Sequence, residues 1–278
     1  MPEARVRRDV VSFVRRGDRM NPSQERAWAQ LRGKYVVEVP AGQRRTSVAE
    51  GASVDWDAAF GRSAPLMVEI GSGTGDTLVA LASSEPGANI VGFEVFLPCV
   101  ASTLSALDRA GAENVRVVVA DGCQGLETLF AAGSLTELWT FFPDPWHKAR
   151  HHKRRLVSPA FARLAADRLA TGGRWRLATD WDDYAAWMVE VIDTTPGLAN
   201  EFDGWAPRWE RRPVTRFEQR AIAAGRTVRD LVYAKVGDAP RDMGVLSSRA
   251  IPHTDSDTAT AVPEERVGNA KPDGRGGA

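Results

Sequence analysis

From residue 66 to about residue 234, the chain alternates short apolar runs with longer segments of helical spacing. A short apolar run bounded by turn residues indicates a buried strand, whereas apolar positions three and four apart indicate one face of a helix. The predicted strands are residues 66–70, 90–95, 115–120, 135–142, 174–178 and 228–234. The predicted helices are residues 76–83, 97–110, 124–131, 159–169 and 181–193. Strands separated by helices pair in parallel, so the pattern predicts a doubly wound α/β sheet.

Both ends of the chain differ from this central region. Residues 1–36 carry eight arginines and predict a basic arm followed by a helix at residues 23–31, and residues 41–65 are loop-like. From residue 237 the chain is rich in Pro, Gly, Asp, Ser and Thr, a composition that predicts disorder. We therefore expect an arm and helix packing on the core (1–65), a central domain (66–236) and a disordered tail (237–278).

Composition narrows the class of protein. No apolar stretch is long enough to span a bilayer, and the N-terminus lacks the apolar core of a signal peptide. The two cysteines, Cys99 and Cys123, cannot build a disulfide framework, so a reduced cytoplasm is the simplest compartment. The formal net charge is zero, but this does not exclude nucleic acid as a partner, because binding depends on where the charges lie.

The segment VEIGSGTGDT, residues 68–77, reads as a strand, a glycine-rich turn and a helix. Gly71, Gly73 and Gly75 let the backbone bend sharply and let a ligand approach closely. The spacing is G-x-G-x-G rather than the G-x-G-x-x-G of dinucleotide enzymes, and Glu69 precedes the turn. A ligand with an amino group is therefore favoured over a pyrophosphate, and the methionine end of S-adenosylmethionine is a good candidate. A turn without a ligand and another nucleotide cofactor stay open.

Two more acidic residues end predicted strands. Glu94 lies 23 residues after Gly71 at the end of the second strand, where a carboxylate can accept both ribose hydroxyls or simply face solvent. Asp121 ends the third strand and either meets an adenine amino group or caps the helix that follows.

The most informative stretch is FFPDPWHKARHHKRR, residues 141–155. Asp144 lies between Pro143 and Pro145, just past the fourth predicted strand. The two prolines fix two φ angles and bias the residues before them toward extended conformations. This arrangement aims one carboxylate at the ligand crevice with little conformational freedom. A purely structural loop would rarely need it, because the prolines remove backbone donors.

A run of basic residues follows Asp144. Its members are Lys148, Arg150, His151, His152, Lys153, Arg154 and Arg155. A charge run is usually a solvated face, but beside the mouth of a crevice, with Trp146 interleaved, it favours contacts to a phosphate backbone. Cationic neighbours and distant cysteines argue against zinc, so we predict no metal site.

Two later motifs have simple structural alternatives. In ATDW, Asp180 follows the fifth strand, where Thr179 or Asp180 could cap the helix from residue 181. In RRPVTRFEQR, Thr215 and Glu218 have the spacing of a capping box, which needs no substrate.

Together these motifs resemble the bacterial tRNA (guanine-N7)-methyltransferase family over residues 12–235. The segments that carry the resemblance are SFVRRGDRMNPSQ, VEIGSGTGD, FFPDPWHKARHHKRRL, LATDW and RPVTRFEQR. The resemblance implies a Rossmann-like class I methyltransferase fold, with seven mostly parallel strands, a final antiparallel strand and helices on both faces. It also implies S-adenosyl-L-methionine as methyl donor, tRNA as partner, and N7 of guanosine 46 in the variable loop as target.

The resemblance implies roles for individual residues as well. Glu69, Glu94, Asp121 and Asp144 would line the cofactor pocket with the turn glycines, and Asp144 would also be the catalytic residue. The implied substrate contacts are Lys148, Asp180, Thr215, Arg216, Phe217 and Glu218. The implied RNA contacts are Arg150, His151, His152, Lys153, Arg154 and Arg155. The sequence departs from the family at Phe96 and Cys99, where a His and a Pro-Gly pair are usual, at His147 in place of Pro, and at Arg216 in place of Lys.

Two other functions stay open at this point. A small-molecule methyltransferase would explain the glycine-rich turn but would leave FPDPW and the basic run without a role. A non-catalytic RNA-binding protein would explain the basic run but not the intact Glu69, Glu94 and Asp144. The sequence also leaves open a monomer or a homodimer, and whether Asp144 acts as a general base or grips the guanine.

Overall fold

One seven-stranded sheet organises residues 19–237, the part of the chain that this computed structural model describes. The strands are β1 (Leu66–Ile70), β2 (Asn89–Phe93), β3 (Val115–Val118), β4 (Leu135–Phe141), β5 (Leu169–Thr179), β6 (Leu198–Asn200) and β7 (Arg229–Lys235). Their order is β3-β2-β1-β4-β5-β7-β6. Neighbours pair in parallel except at β7, which is antiparallel to β5 and to β6. The predicted mostly parallel sheet with a final antiparallel strand is confirmed.

Helices cover both faces of this sheet. They are α1 (Pro22–Tyr35), α2 (Trp56–Phe60), α3 (Asp76–Ser84), α4 (Leu97–Arg109), α5 (Gly122–Leu129), α6 (Pro159–Arg168), α7 (Asp182–Asp193) and α8 (Arg216–Ala223). Side chains of α1, α3 and α4 form one apolar cluster with the sheet, and side chains of α2, α5, α6 and α7 form the other. Adjacent strand residues such as Leu138 and Trp139 enter opposite clusters, because successive side chains of a strand alternate between faces. Within the described residues, no helix is long and apolar enough to cross a membrane.

The predicted boundaries hold to within two residues for most elements, but the start of β5 was wrong. The strand was predicted from residue 174 and begins at Leu169. Gly172 and Gly173 lie inside the observed strand, although glycine disfavours extended pairing. In the structure, pairing with β4 carries the strand past them, with a register shift between Leu135 and Glu137.

Four short elements were not predicted: α2, the 3-10 helix Ala149–Arg154, β6 and α8. Helix α2 lies inside the segment 41–65 that was expected to be loop-like. Its Trp56 stacks on Phe130, with 4.9 Å between ring centroids, and its indole Nε1 donates to the Leu129 carbonyl at 2.9 Å. Helix α2 and strand β6, with five and three residues, are too short to show a period in the sequence, so contacts from distant segments decide them.

Helix α1 packs against α4. Asn21 and Gln24 form a capping box at its start, and the Gln24 amide donates to the Pro98 carbonyl at 2.9 Å and to Ser102 Oγ at 3.1 Å. The helix continues past the predicted residue 31 to the buried Tyr35. Most of the predicted basic arm (residues 1–18) and of the predicted tail (residues 238–278) lies outside the described residues.

The strand order reverses at β1. From β1 the chain builds β2 and β3 on one side and then returns to build β4 and β5 on the other. In an open α/β sheet, ligands bind at such a switch point, at the carboxyl ends of the strands. The loops that follow β1, β2, β4 and β5 therefore border one crevice.

Candidate active site

The glycine-rich turn after β1 has the strand–turn–helix form predicted for it. Gly71, Gly73 and Gly75 have φ angles of 78°, 54° and 78°, in the left-handed region that favours glycine. A Cβ atom on Gly75 would lie 2.4 Å from the Thr103 methyl group, so α4 also requires glycine there. Thr103 Oγ1 in turn donates to the Gly73 carbonyl at 3.1 Å. The turn is thus held close to α4 with its backbone at the crevice.

Glu69, two residues before the turn, is buried with one unsatisfied carboxylate oxygen. Its side chain is 3% exposed, and Oε2 has no hydrogen-bond partner among the described residues. Burial raises the pKa of Glu69 to about 8, although a hydrogen bond with Thr77 opposes the rise. A buried acceptor without a partner is costly, and a cationic amino group would satisfy it. The site therefore fits the ammonium group of a methionine moiety.

Glu94, directly after β2, accepts a hydrogen bond from the same glycine-rich turn. Its Oε2 accepts from the Gly73 amide at 2.9 Å, and its Oε1 accepts from the amides of Val95 and Phe96 at 2.7 and 2.8 Å. A carboxylate offers about four lone-pair sites. These three bonds hold the Glu94 carboxylate against the glycine-rich turn, and its contact with the ribose hydroxyls stays a prediction.

Asp121, after β3, caps a helix. Its Oδ1 accepts from the backbone amides of Cys123 and Gln124, at 3.0 and 3.1 Å, at the start of α5. The capping alternative is therefore confirmed. The Asp121 amide also donates to the Thr46 carbonyl at 2.6 Å, so the segment before α2 lies over this end of the crevice. A contact to adenine remains a prediction.

The loop after β4 presents Asp144 on a strained backbone. Asp144 is exposed, whereas Phe142 and Trp146 have φ angles of 50° and 49°. The expected extended conformation before Pro143 is therefore wrong at Phe142. Bulky residues rarely adopt positive φ, at a cost of about 1–3 kcal/mol each, and they do so mainly at functional sites. The Phe142 amide donates to the Ala178 carbonyl of β5 at 2.7 Å, and this pairing holds the conformation.

Asp144 also lies close enough to Glu94 to influence its charge. Burial is the main reason that the pKa of Glu94 is raised. The three backbone amides that donate to Glu94 oppose the rise, and the negative charge of Asp144 adds to it. The structure thus brings the predicted acids of β2 and β4 to one place.

The basic run forms the 3-10 helix Ala149–Arg154 on the outer side of this loop. Lys148, Arg150, Lys153 and Arg154 are exposed, and the Arg154 guanidinium lies 4.9 Å from the centroid of the Trp146 ring. His151 and His152 are half-buried. The exposed positive charge of this helix therefore comes from its lysines and arginines, in agreement with a surface for phosphates.

Arg155, the last residue of the run, has a different environment. It is 3% exposed, and its Nε donates to the Pro145 carbonyl at 3.0 Å. Its guanidinium pairs with Asp183 and lies 4.8 Å from the centroid of the Tyr184 ring. The donors of Arg155 thus face protein in this structure, and the predicted RNA contact at Arg155 stays a prediction.

Asp180 follows β5 but does not cap α7. Its Oδ2 accepts from Arg226 Nε at 2.7 Å, and α7 begins at Asp182. Thr179 Oγ1 accepts from the Trp181 amide at 3.3 Å. The capping alternative for Asp180 is wrong, and its carboxylate lies at the carboxyl edge of the sheet beside an arginine. Near it, the His147 ring lies 4.0 Å from the Trp181 ring, centroid to centroid, so this departure from the family packs the loop onto α7.

The TRFE segment, residues 215–218, forms the start of α8. Two of its residues are exposed and two are buried. Thr215 Oγ1 accepts from the Glu218 amide at 3.3 Å, so Thr215 is the N-cap. Arg216 and Phe217 are exposed. Glu218 is 2% exposed and accepts from Arg208 and Arg212. The Glu218 carboxylate is therefore buried against two arginines, and its predicted substrate contact stays a prediction.

Arg212 is a site residue that the sequence reasoning missed. It is fully buried and donates to Glu218 at 2.8 Å and to Asp230 at 2.9 and 3.0 Å. Its guanidinium lies 5.4 and 5.3 Å from the ring centroids of Phe141 and Phe142. The only sequence signal was an arginine pair before Thr215, which reads as one more charged surface. Arg212 joins the start of α8 to the loop that carries Asp144.

Among residues 19–237, no group of three His, Cys, Asp or Glu side chains could hold a metal ion. On one side of the switch point, the candidate site has the buried Glu69 carboxylate and the glycine-rich turn from Gly71 to Gly75. On the other side lies a strained loop with one exposed carboxylate and a basic 3-10 helix.

Comparisons with known proteins identify the family and the fold of this chain. A family model described as "Putative methyltransferase" matches residues 63–231. The chain is 55% identical over 238 residues to the tRNA (guanine-N(7)-)-methyltransferase of Cutibacterium acnes, covering 84% of this chain and 86% of that protein. It is 48% identical over 237 residues to the protein of the same name from Nocardioides sp., covering 85% and 92%. The crystal structure of the 16S rRNA methyltransferase KamB matches 72% of this chain and 100% of that chain, with a TM-score of 0.50 and 16% identity, and shows the shared fold alone. The chain belongs to the tRNA (guanine-N7)-methyltransferase family.

Proposed function

We propose that this protein transfers a methyl group from S-adenosyl-L-methionine to N7 of guanosine 46 in the variable loop of tRNA. The observation that carries the proposal is the loop after β4. It presents Asp144 on a strained backbone at the switch point and continues directly into an exposed basic 3-10 helix. We place the reaction in the cytoplasm, because two cysteines in a chain of this length suit a reducing compartment.

The residues after β1 and β2 are suited to hold the cofactor. Glu69 would accept from the ammonium group with its unsatisfied oxygen, and Glu94, held against the Gly73 amide, would accept from the ribose hydroxyls. The turn from Gly71 to Gly75 lets the backbone approach closely. When bound, S-adenosyl-L-methionine supplies a methyl group on a sulfonium cation, and its leaving group is neutral.

Asp144 is suited to hold the guanine. N7 carries an in-plane lone pair, so no base is needed to deprotonate the attacking atom. The Watson–Crick edge of guanine presents two donors, N1–H and the amino group, and a carboxylate accepts both in a bidentate arrangement. The negative charge of Asp144 also favours the positive charge that N7-methylation leaves on the base. Holding the base in line is worth roughly 7–11 kcal/mol of the barrier.

The substrate must present an unstacked base. A carboxylate at the crevice can reach the Watson–Crick edge only of a base that is splayed out of its helix, and this favours a loop nucleotide. Transfer of a labelled methyl group to tRNA, with identification of the modified nucleoside, tests the proposal. We expect N7-methylguanosine from the parent tRNA and none from a tRNA with adenine at position 46. Label in a small molecule alone, or no transfer at all, would contradict the proposal.

The pH dependence of cofactor binding tests Glu69. Below about pH 8 the unliganded protein holds Glu69 protonated, whereas an ammonium group requires the carboxylate. Binding must then release a proton, so affinity is expected to rise with pH, by at most about tenfold per unit, and to level off near pH 8. Titration calorimetry between pH 6 and pH 8 measures this slope. Glu69→Gln should bind more weakly and lose this slope, and an equal slope in both proteins would contradict the assignment.

The salt dependence of tRNA binding tests the 3-10 helix. Replacing Arg150 and Lys153 together by alanine should lower the slope of log K against log salt by about 1 for each lost phosphate contact. The matched control replaces Arg32 and Arg109, which are exposed at the far ends of α1 and α4, and it should leave the slope unchanged. Equal slopes for the two double variants would show that the basic run is only a solvated face.

A further inference from the structure

We propose that Arg155 is a positioning residue that holds the Asp144 loop through the carbonyl of Pro145. This inference rests on the proposed function, because it assigns how the loop of that site is kept in place. It also separates Arg155 from the exposed basic residues beside it in the sequence. The Asp144 loop benefits from such support because two of its residues, Pro143 and Pro145, have no backbone N–H group.

The two prolines leave the loop short of its own hydrogen bonds. Pro143 and Pro145 have no N–H group, and Phe142 and Trp146 on either side have positive φ angles. A backbone of this kind persists only when its surroundings hold it. On the β4 side, the Phe142 amide is held by the Ala178 carbonyl. On the far side, the Pro145 carbonyl needs a donor from elsewhere.

Arg155 supplies that donor from ten residues further along the chain. Its Nε donates to the Pro145 carbonyl at 3.0 Å, and its Nη2 pairs with Asp183 on α7. The bond closes residues 145–155 into a ring, with the 3-10 helix as its outer part. The carbonyl that Arg155 holds belongs to the residue directly after Asp144, so movement of Arg155 would move the carboxylate.

The packing around Arg155 fixes its direction. The guanidinium plane lies over the ring of Tyr184, whose hydroxyl oxygen accepts from the Val157 amide at 3.1 Å. Burial raises the pKa of Tyr184, and the charge of Asp144 adds to that rise, so Asp144 lies close to this support. A planar guanidinium can donate in two directions at once, whereas a lysine ammonium on a flexible stem cannot reproduce that fork.

Arg155→Lys separates positioning from charge. The variant keeps the positive charge that a phosphate contact would need but loses the bond geometry. At saturating tRNA and cofactor, we expect the single-turnover rate of methyl transfer to fall by about 10- to 100-fold, because a misplacement of about 1 Å can cost 100-fold. The affinity for tRNA and its salt slope should stay within about twofold of the parent values. A phosphate-contact role would instead leave the rate unchanged, and that result would overturn the proposal.

Arg168→Lys is the matched control. Arg168 is also largely buried, donates its Nε to a backbone carbonyl, that of Leu126, and pairs with an aspartate, but it lies at the far end of α6. Its replacement should leave the rate within about threefold of the parent. An equal loss of rate in both lysine variants would assign the effect to general structure and would overturn the positioning role.

Amide hydrogen exchange tests the positioning role of Arg155 without a measurement of activity. In Arg155→Lys, the amides of residues 146–155 should exchange faster, while those of β4 and β5 should be unchanged. Unchanged exchange at residues 146–155 would overturn the proposal. If the parent protein does not methylate tRNA, the proposed function fails, and the exchange measurement still decides whether Arg155 holds the loop.

Discussion

Asp144→Asn is expected to fold normally and to lose methyl transfer by about 30- to 1000-fold, a barrier increase of about 2–4 kcal/mol. Asparagine has the same shape but offers one acceptor and one donor. Against the two donors of guanine it can satisfy one and must oppose the other. It also loses the charge that favours the cationic product. Asp144 is exposed and asparagine has the same shape, so the substitution opens no cavity in the core.

Single-turnover methylation of tRNA measures this loss, and cofactor binding is measured on the same preparation. Binding should weaken less than turnover, because Glu69 and Glu94 hold the methionine and ribose ends. Asp57→Asn, which removes an exposed carboxylate on α2, is the matched control and should retain the parent rate. If Asp144→Asn turns over within about threefold of the parent, Asp144 neither grips the base nor stabilises the charge. A loss no greater than the loss of cofactor occupancy would make it a binding residue only.

Arg212→Met is expected to lower the free energy of unfolding by about 3–5 kcal/mol. Methionine fills part of the volume beside Phe141 and Phe142 but leaves two carboxylates without their partner. Asp230 would lose both bonds from Arg212, and Glu218 would keep only Arg208. Burial already raises the pKa of Asp230 against the opposing effect of Arg212, so removing the arginine leaves a poorly solvated charge.

Urea unfolding at neutral pH measures this change, with Arg211→Ala as the matched control. Arg211 is the adjacent arginine, but it is exposed and pairs with Glu85 at the surface, so its loss should cost less than about 1 kcal/mol. Adding Glu218→Gln and Asp230→Asn to Arg212→Met should recover part of the lost stability, since both buried charges are then gone. Equal stability of the two single arginine variants would show that the buried cluster contributes nothing beyond a surface pair.

The sequence by itself determined the architecture and the edge of the sheet that carries the site. Apolar periodicity depends on neighbouring residues only, so it located six of the seven strands and the order of helices between them. Because parallel strands end at one edge, the order of strands and acids along the chain was enough to place those acids together. Glu69, Glu94 and Asp144 all border the predicted crevice.

Local signals also identified helix starts, but they could not choose between capping and ligand contact. Asp121 and Thr215 are caps in the structure, whereas Asp180 is not. The difference lies in where each helix begins relative to the strand before it. A shift of one or two residues decides which side chain can reach the free amides, and packing rather than sequence sets that shift.

The tertiary structure alone decided which charged residues face solvent. Lys153 and Arg155 belong to one basic run, yet Lys153 is exposed and Arg155 is buried against Pro145 and Tyr184. Arg212 is likewise buried because Asp230 arrives from β7 and Glu218 from α8. A charged side chain is buried at low cost only when distant segments supply its partners, and a local sequence pattern does not show which distant segments come together. Hence the position of these acids at one edge of the sheet could be predicted from the chain, whereas the buried arginines near them could not.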